Sequence, residues 1–241
     1  MSKICAVMQP TYIPWIGYFD MIDMVDVFVL YNDVQLTRRS WQVRNRLRNK
    51  FGEFWLTLPV KKTVSRNELL IKDAVLDNNE KWKKKHLKTI KAYYSKTPYF
   101  NQLFELIESK YTNAEKVSDF NIDIIKSLCE KMNIKTNLIR SSDIEGISGT
   151  KDLRLVNICK KLGIQKYLSA QGSSDYINEN IIGGEFFKND IKLYYHSYNH
   201  LEYNQLYSDF IPNLGVFDLI FNHGFEKSIK IIRKGRQKNK I

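Results

Sequence analysis

The strongest constraint on the fold lies at the N-terminus. Ile4–Met8 (ICAVM) is a short apolar run ended by Gln9-Pro10, which reads as a buried first strand. Pro10 and Pro14 keep the next stretch, residues 9–16, out of regular structure. From Gly17 on, Tyr18, Met21, Ile22 and Val25 recur at helical spacing, and residues 27–31 (VFVLY) are β-branched and aromatic, like a second buried strand. Strand, loop, helix, strand is a βαβ opening, which favours parallel pairing and a right-handed crossover.

The rest of the chain extends this pattern. Residues 54–60 (FWLTLPV) read as a strand, with 51–53 as its turn and 69–75 as its partner. Apolar residues at helical spacing predict helices over 80–94, 100–111 and 114–132. A strand at 134–140, a helix at 151–162 closed by Gly163, strands at 164–170 and 191–195, and a short apolar helix at 215–222 complete the reading. The expected fold is α/β: a Rossmann-like, mostly parallel sheet with helices on both faces. One domain is expected over 1–241, with a helical insertion at about 76–132.

Composition narrows the function classes. A hydrophobic content of 43% and an aromatic content of 13% suffice for a proper core. No apolar run is long enough to span a membrane, and residues 1–8 are too short for a signal peptide before the chain turns polar. Cys5, Cys129 and Cys159 are odd in number and unpatterned, which argues against a disulfide framework or zinc site and suits a reducing, cytoplasmic setting.

The net charge of +12 raises nucleic acid as a partner, but all of it sits in two places. One is residues 38–50, with Arg38, Arg39, Arg44, Arg46, Arg48 and Lys50 and no acid. The other is residues 225–241, where seven basic residues face Glu226 alone. The end of that segment, 233–241, has almost no apolar content and reads as a frayed, solvated end. So local a distribution makes nucleic acid the least favoured partner.

Open α/β sheets bind ligands beyond the carboxyl ends of their strands. Three polar loops fall there: 9–18, 32–49 and 171–176. In the first, Gly17 permits close backbone approach where the helix starts, and the helix N-terminus suits a phosphate or carboxylate. Arg44-Asn45-Arg46 adds groups suited to the same anion. Asp33, after the second strand, is placed either to hold a polar ligand group or simply to cap a turn. His86 reads as a surface or satisfied core residue, while His196, His200 and His223 follow regular elements. There is no HExxH, nucleophile elbow, GxxxxGK[ST] or GxGxxG, and no metal site is expected.

The run Met8-Gln9-Pro10-Thr11-Tyr12-Ile13-Pro14-Trp15-Ile16-Gly17-Tyr18-Phe19 resembles the N-terminal signature of the WbqC-like proteins. So do Tyr31-Asn32-Asp33-Val34-Gln35, Arg44-Asn45-Arg46, Trp55-Leu56-Thr57-Leu58-Pro59-Val60, Tyr167-Leu168-Ser169 and Phe217-Asp218-Leu219-Ile220-Phe221-Asn222-His223-Gly224. The resemblance covers nearly the whole chain. Many members carry His where this chain has Met8, and Ala170-Gln171-Gly172 replaces a more usual Ser-Gly turn. The resemblance implies a place in O-antigen or surface-polysaccharide biosynthesis and attachment of an amino acid, glycine in particular, to a sugar.

The layout is also similar, more distantly, to nucleotidyltransferase-like enzymes, whose HxGH element opens a helix after the first strand. Trp15-Ile16-Gly17-Tyr18 occupies that frame with aromatic residues in place of both histidines. Residues 167–176 (YLSAQGSSDY) are similar to the late-strand loop of pantothenate synthetase, which adenylates a carboxylate and then forms an amide. That layout implies ATP, held without a P-loop. The missing histidines would have stabilised the transferring phosphate, so the cofactor stays unassigned.

Together these resemblances imply an amide-forming amino-acid transferase or ligase acting on a nucleotide-linked sugar. The alternative is a non-catalytic protein that binds a sugar nucleotide or lipid-linked intermediate. Gln9, Tyr12, Trp15, Gly17 and Tyr18 are the expected anchor, with Trp15 and Tyr12 stacking on a ring. Arg44, Asn45 and Arg46 are expected at phosphates or a carboxylate. Gln35, Gln171, Gly172, Ser173, Tyr176 and Asn222 are the further binding candidates, and Asp33 or His196 the proton acceptor. Homo-oligomerisation is left open.

Overall fold

A computed structural model describes residues 2–37, 39–62, 68–79, 81–179, 181–207 and 209–237. Its centre is a five-stranded parallel sheet. The strands are β1 (Ile4–Met8), β2 (Val27–Leu30), β5 (Asn137–Arg140), β6 (Lys166–Ala170) and β7 (Lys192–His196), in the spatial order β5-β2-β1-β6-β7. The chain thus winds outward from β1 in one direction and then, through β6, in the other. The order reverses between β1 and β6, and that is where a doubly wound sheet opens a crevice.

Residue alternation along the strands serves two cores. Ile4, Ala6, Phe28 and Leu30 face a cluster shared with α1 (Ile16–Asp23), α2 (Trp82–Tyr94), α3 (Phe100–Thr112), α4 (Val117–Lys131) and α8 (Phe217–Gly235). Cys5, Val7, Val27 and Val29 face a second cluster with α5 (Lys151–Lys161) and the short helices α6 (Ser174–Ile177) and α7 (Gly184–Lys188). Both faces are covered, so the strands read as continuous apolar runs. Cys5, Cys129 and Cys159 are free and buried. Among the described residues no helix is long and apolar enough to cross a membrane.

Three expectations about elements are corrected. First, residues 44–49, read as a charged loop, form β3 (Arg44–Asn49), which pairs antiparallel with β4 (Gly52–Thr57). Alternation explains why the arginines fit a strand: Asn45 and Leu47 are buried on the inner face, while Arg44 and Arg46 lie on the other with Trp55. Second, β3 has taken the place beside β4 expected for residues 69–75. That segment instead makes isolated bridges around a 3-10 turn at Ile71–Asp73. Third, the late helix runs on to Gly235, because Gly224 adopts φ 70°, ψ 172° and lets two helical segments join at a kink. The Tyr99 ring occupies the space a Cβ on Gly224 would need.

The end of α8 also alters the expectation for the basic segment. Arg233 pairs with Asp23, and Arg236 with both Asp20 and Asp23, so a solvated end over 233–241 does not include those residues. Arg38 in the first basic group, Lys238 and Lys240 in the second, and Glu80 at the start of the first expected middle helix lie outside the described residues.

Candidate functional site

The loop from Gln9 to Trp15 is fastened almost residue by residue. Asn121 Nδ2 donates to the carbonyl of Pro10 at 3.0 Å, and Tyr12 N–H to the carbonyl of Trp41 at 2.8 Å. Ile13 sits at φ 46°, a left-handed conformation that a β-branched residue resists. Its neighbours hold it there. Asn45 Nδ2 donates to the carbonyls of Tyr12 (3.1 Å) and Ile13 (2.7 Å), and Gly215 lies so close that a Cβ would stand 2.9 Å from the Ile13 oxygen. Val216 N–H then binds the carbonyl of Pro14 at 2.9 Å. The hairpin on one side and the start of α8 on the other thereby fix where Trp15 points.

Trp15 is a wall between two cavities. A Cβ on Gly17 would lie 2.2 Å from its indole, so the ring covers the first turn of α1. Tyr198 meets the ring edge-on (5.6 Å, 84°), and the His200 ring runs near-parallel to it (6.3 Å, 13°). Met8, Trp15 and Tyr18 border both cavities. The Tyr18 hydroxyl donates to the Gln9 carbonyl at 3.1 Å, and burial pushes its pKa well up, so it stays neutral.

The first cavity, about 370 Å³, opens beyond the carboxyl ends of β1, β6 and β7, at the reversal of strand order. It is lined by Gly17 after β1, Gln171 and Gly172 after β6, and His196 and Tyr198 at and after the end of β7. His196 Nε2 lies 2.9 Å from Oδ2 of the fully buried Asp20 on α1, whose Oδ1 accepts from Arg236 Nε at 2.9 Å. This chain of arginine, carboxylate and imidazole fixes the ring and leaves Nδ1 as the nitrogen able to take a proton. The Tyr198 hydroxyl is buried without a hydrogen-bond partner among the described residues. Burial, then the nearby Asp20 charge, raises its pKa.

The second cavity, also about 370 Å³, lies on the other side of Trp15. Thr11, Trp41, Asn45, Arg46 and Asn213 complete its lining. Its outer edge is aromatic and cationic. Trp41 and Trp55 stack at 5.6 Å, the Arg44 guanidinium lies 4.4 Å over Trp55, and Arg46 lies 5.8 and 5.9 Å over the two rings.

The structure gathers some of the expected site residues and disperses others. Gly17, Tyr18, Gln171, Gly172 and His196 meet in the first cavity, and Asn45 and Arg46 border the second. Gln9 is tied to Gln42 through its side-chain oxygen at 2.5 Å. Tyr12 is not a stacking platform, because it is fully buried, with its hydroxyl bonded to Tyr111 and His86. Asn45 spends its amide on the loop, and one side of Trp15 already faces His200. Arg44 lines neither cavity.

Asp33 is likewise not free as a base: Arg154 pairs with it at 2.6 Å and Ser141 Oγ donates to it at 2.5 Å, away from both cavities. Gln35 is exposed and bridges Leu70, and Asn222 donates to Asp218 O within its own helix. Ser173 stays half-buried on the turn after β6, and Tyr176 faces a separate pocket with Lys151 and Glu185. The candidate site residues left out Asp20, Tyr198, Arg236 and Trp55, and Trp41 figured only as a costly residue to find in a turn. Only the tryptophans, large apolar residues beside arginines, carried a signal in the sequence.

Fold and site together define a doubly wound α/β protein with a ligand-sized crevice at the switch point of its sheet. The chain belongs to the WbqC-like protein family, whose pattern it matches over residues 9–230. It is 32% identical over 232 residues to the uncharacterized protein Rv1507c of Mycobacterium tuberculosis (strain ATCC 25618 / H37Rv), covering 94% of this chain and 96% of that protein. No solved structure matches it.

Proposed function

We propose that this chain is an amide-forming transferase or ligase that joins an amino acid of the glycine type to a nucleotide-linked sugar in O-antigen or surface-polysaccharide biosynthesis. The observation that carries the reading is the His196–Asp20 pair in the switch-point cavity. An attacking amine must lose a proton as its nitrogen bonds the acyl carbon, and a fixed imidazole is suited to accept it. Nδ1 of His196 takes that proton while Nε2–H stays on the Asp20 carboxylate. The leaving group of the activated acyl donor departs as the amide forms. Gly17 and Gly172 leave room at the strand ends for the reacting groups to approach the main chain.

The non-catalytic reading has one observation in its favour: Trp15 already covers the first turn of α1. One experiment separates the two. Glycine-dependent amide formation is measured on nucleotide-linked amino and uronic sugars, with and without ATP. Turnover that His196→Asn abolishes supports the enzyme; no turnover with any donor, alongside tight binding of the same sugars, supports the binding protein.

A further inference from the structure

The β3–β4 hairpin and the turn that leads into it expose what folding normally hides. Trp41 is 50% exposed and Trp55 43%, and they stack on each other at 27°, so the pair puts aromatic surface into solvent at the rim of the second cavity. Two exposed indoles, Trp55 on β4 and Trp41 in the turn before β3, do little for stability and are suited to stacking on a flat ring. Guanidinium groups flank that surface. Arg44 makes no ion pair among the described residues and rests on Trp55. Arg46 gives Nη1 to Glu53 at 2.8 Å and Nη2 to the Asn213 carbonyl at 3.4 Å, while its Nε is buried without a hydrogen-bond partner among the described residues. Among the described residues Glu53 is the one acid paired with either arginine, so the rim stays cationic.

The geometry points to this second cavity and its outer rim as a nucleoside-diphosphate subsite: the base stacks on Trp41, and the diphosphate is held by Arg46 at the cavity and Arg44 on the rim. Aromatic faces bind bases of any sequence, and planar guanidinium forks match phosphate oxygens. The volume of about 370 Å³ suits a mononucleotide and not a polymer, which would need an extended groove. This assignment rests on the proposed function and gives its substrate a direction. The nucleotide lies on the hairpin side of Trp15, and the sugar passes the ring into the His196 cavity.

The test is isothermal titration calorimetry of the full chain with UDP, dTDP, GDP and ADP, against uridine, inorganic pyrophosphate and a short oligouridylate. At least one diphosphate is expected to bind more tightly than uridine or pyrophosphate. Trp41→Ala is expected to weaken it about tenfold or more, and Arg44→Gln or Arg46→Gln severalfold. Trp41 and Arg44 are not core residues, so these variants are expected to keep the wild-type circular dichroism. His196→Asn is expected to leave the diphosphate Kd within about twofold. The assignment is overturned if no diphosphate binds, if pyrophosphate binds equally well, if Trp41→Ala and both arginine variants bind like wild type, or if the oligouridylate binds tighter with a steep salt dependence. Amide formation on acceptors without a nucleotide, together with no UDP-type binding, sinks this assignment and the nucleotide-linked acceptor while leaving the amide-forming reading standing. Tryptophan-dependent diphosphate binding with no turnover on any acceptor sinks the enzyme reading alone.

Discussion

Across Trp15 the molecule presents two cavities of like volume, built by different means. The switch-point cavity is framed by the ends of parallel strands, and its histidine is aligned by a carboxylate with no solvent exposure. The hairpin cavity is framed by an antiparallel ribbon and the turn before it, where Trp55 and Trp41 are half exposed and the ribbon's guanidinium groups lie over them. A histidine held in place by a buried carboxylate suits proton transfer, which tolerates little misplacement. An open aromatic and cationic rim suits holding a large anionic group, where area and charge matter more than sub-ångström placement. The contrast separates reacting from holding, with one indole as the partition.

The largest expected effect tests the reacting side. His196→Asn keeps a polar side chain but removes the proton acceptor, and kcat for amide formation is expected to fall roughly 10²–10⁴-fold. An unchanged kcat would move the chemistry out of the switch-point cavity. Next comes the shared wall. Gly17→Ala forces the Trp15 ring away from a Cβ 2.2 Å distant, at a cost of about 1–3 kcal/mol. Urea denaturation reads that cost, and ligand binding is expected to weaken on both sides together; weakening on one side only would show that the cavities do not share Trp15 as a working wall.

The third prediction concerns acid. His86, bonded to Tyr12 beneath the loop, has its pKa lowered from 6.5 to about 4, first by burial and then by the Lys85 charge. Since the folded pKa lies below the unfolded one, the native state binds fewer protons. Stability is therefore full above about 6.5 and drains away as pH falls toward about 4. Thermal melts of wild type and His86→Gln across that range are expected to diverge, the variant being flatter; parallel curves would assign the acid limb to other groups. The smallest effect is expected for Arg233→Gln. Its pair with Asp23 has a half-exposed guanidinium, and Arg236 still holds the same carboxylate. A loss of about 0.5 kcal/mol with unchanged kcat is expected; a fall in kcat would show that the Asp23 contacts reach His196.

How much could be read beforehand follows the range of the interactions. The strand Ile4–Met8 carries its apolar run within itself, and helices α2 to α4 carry their period in adjacent turns, so both were legible. β3 was not, because RNRLRN looks polar until Asn45 and Leu47 are seen to face a core supplied by the loop and α8. The histidine of the candidate site was legible as a possible proton acceptor that follows a strand. Its partner Asp20 lies 176 residues away in sequence, within an apolar helical stretch where a carboxylate reads as an ordinary exposed charge.

The sequence by itself determined the βαβ opening, the parallel class of the sheet and the clustering of polar loops at its carboxyl edge. Local periodicity and proline placement are properties of neighbouring residues and survive without the fold. Only the tertiary structure decided that, within one loop, Tyr12 turns into the core while Trp15 stands between two cavities. It likewise decided that Arg46 borders a cavity while Arg44 rests on Trp55 outside it. A loop has no period to set its side chains in or out; their direction is fixed by which distant groups satisfy its carbonyls, and here those are Asn45, Asn121 and the start of α8.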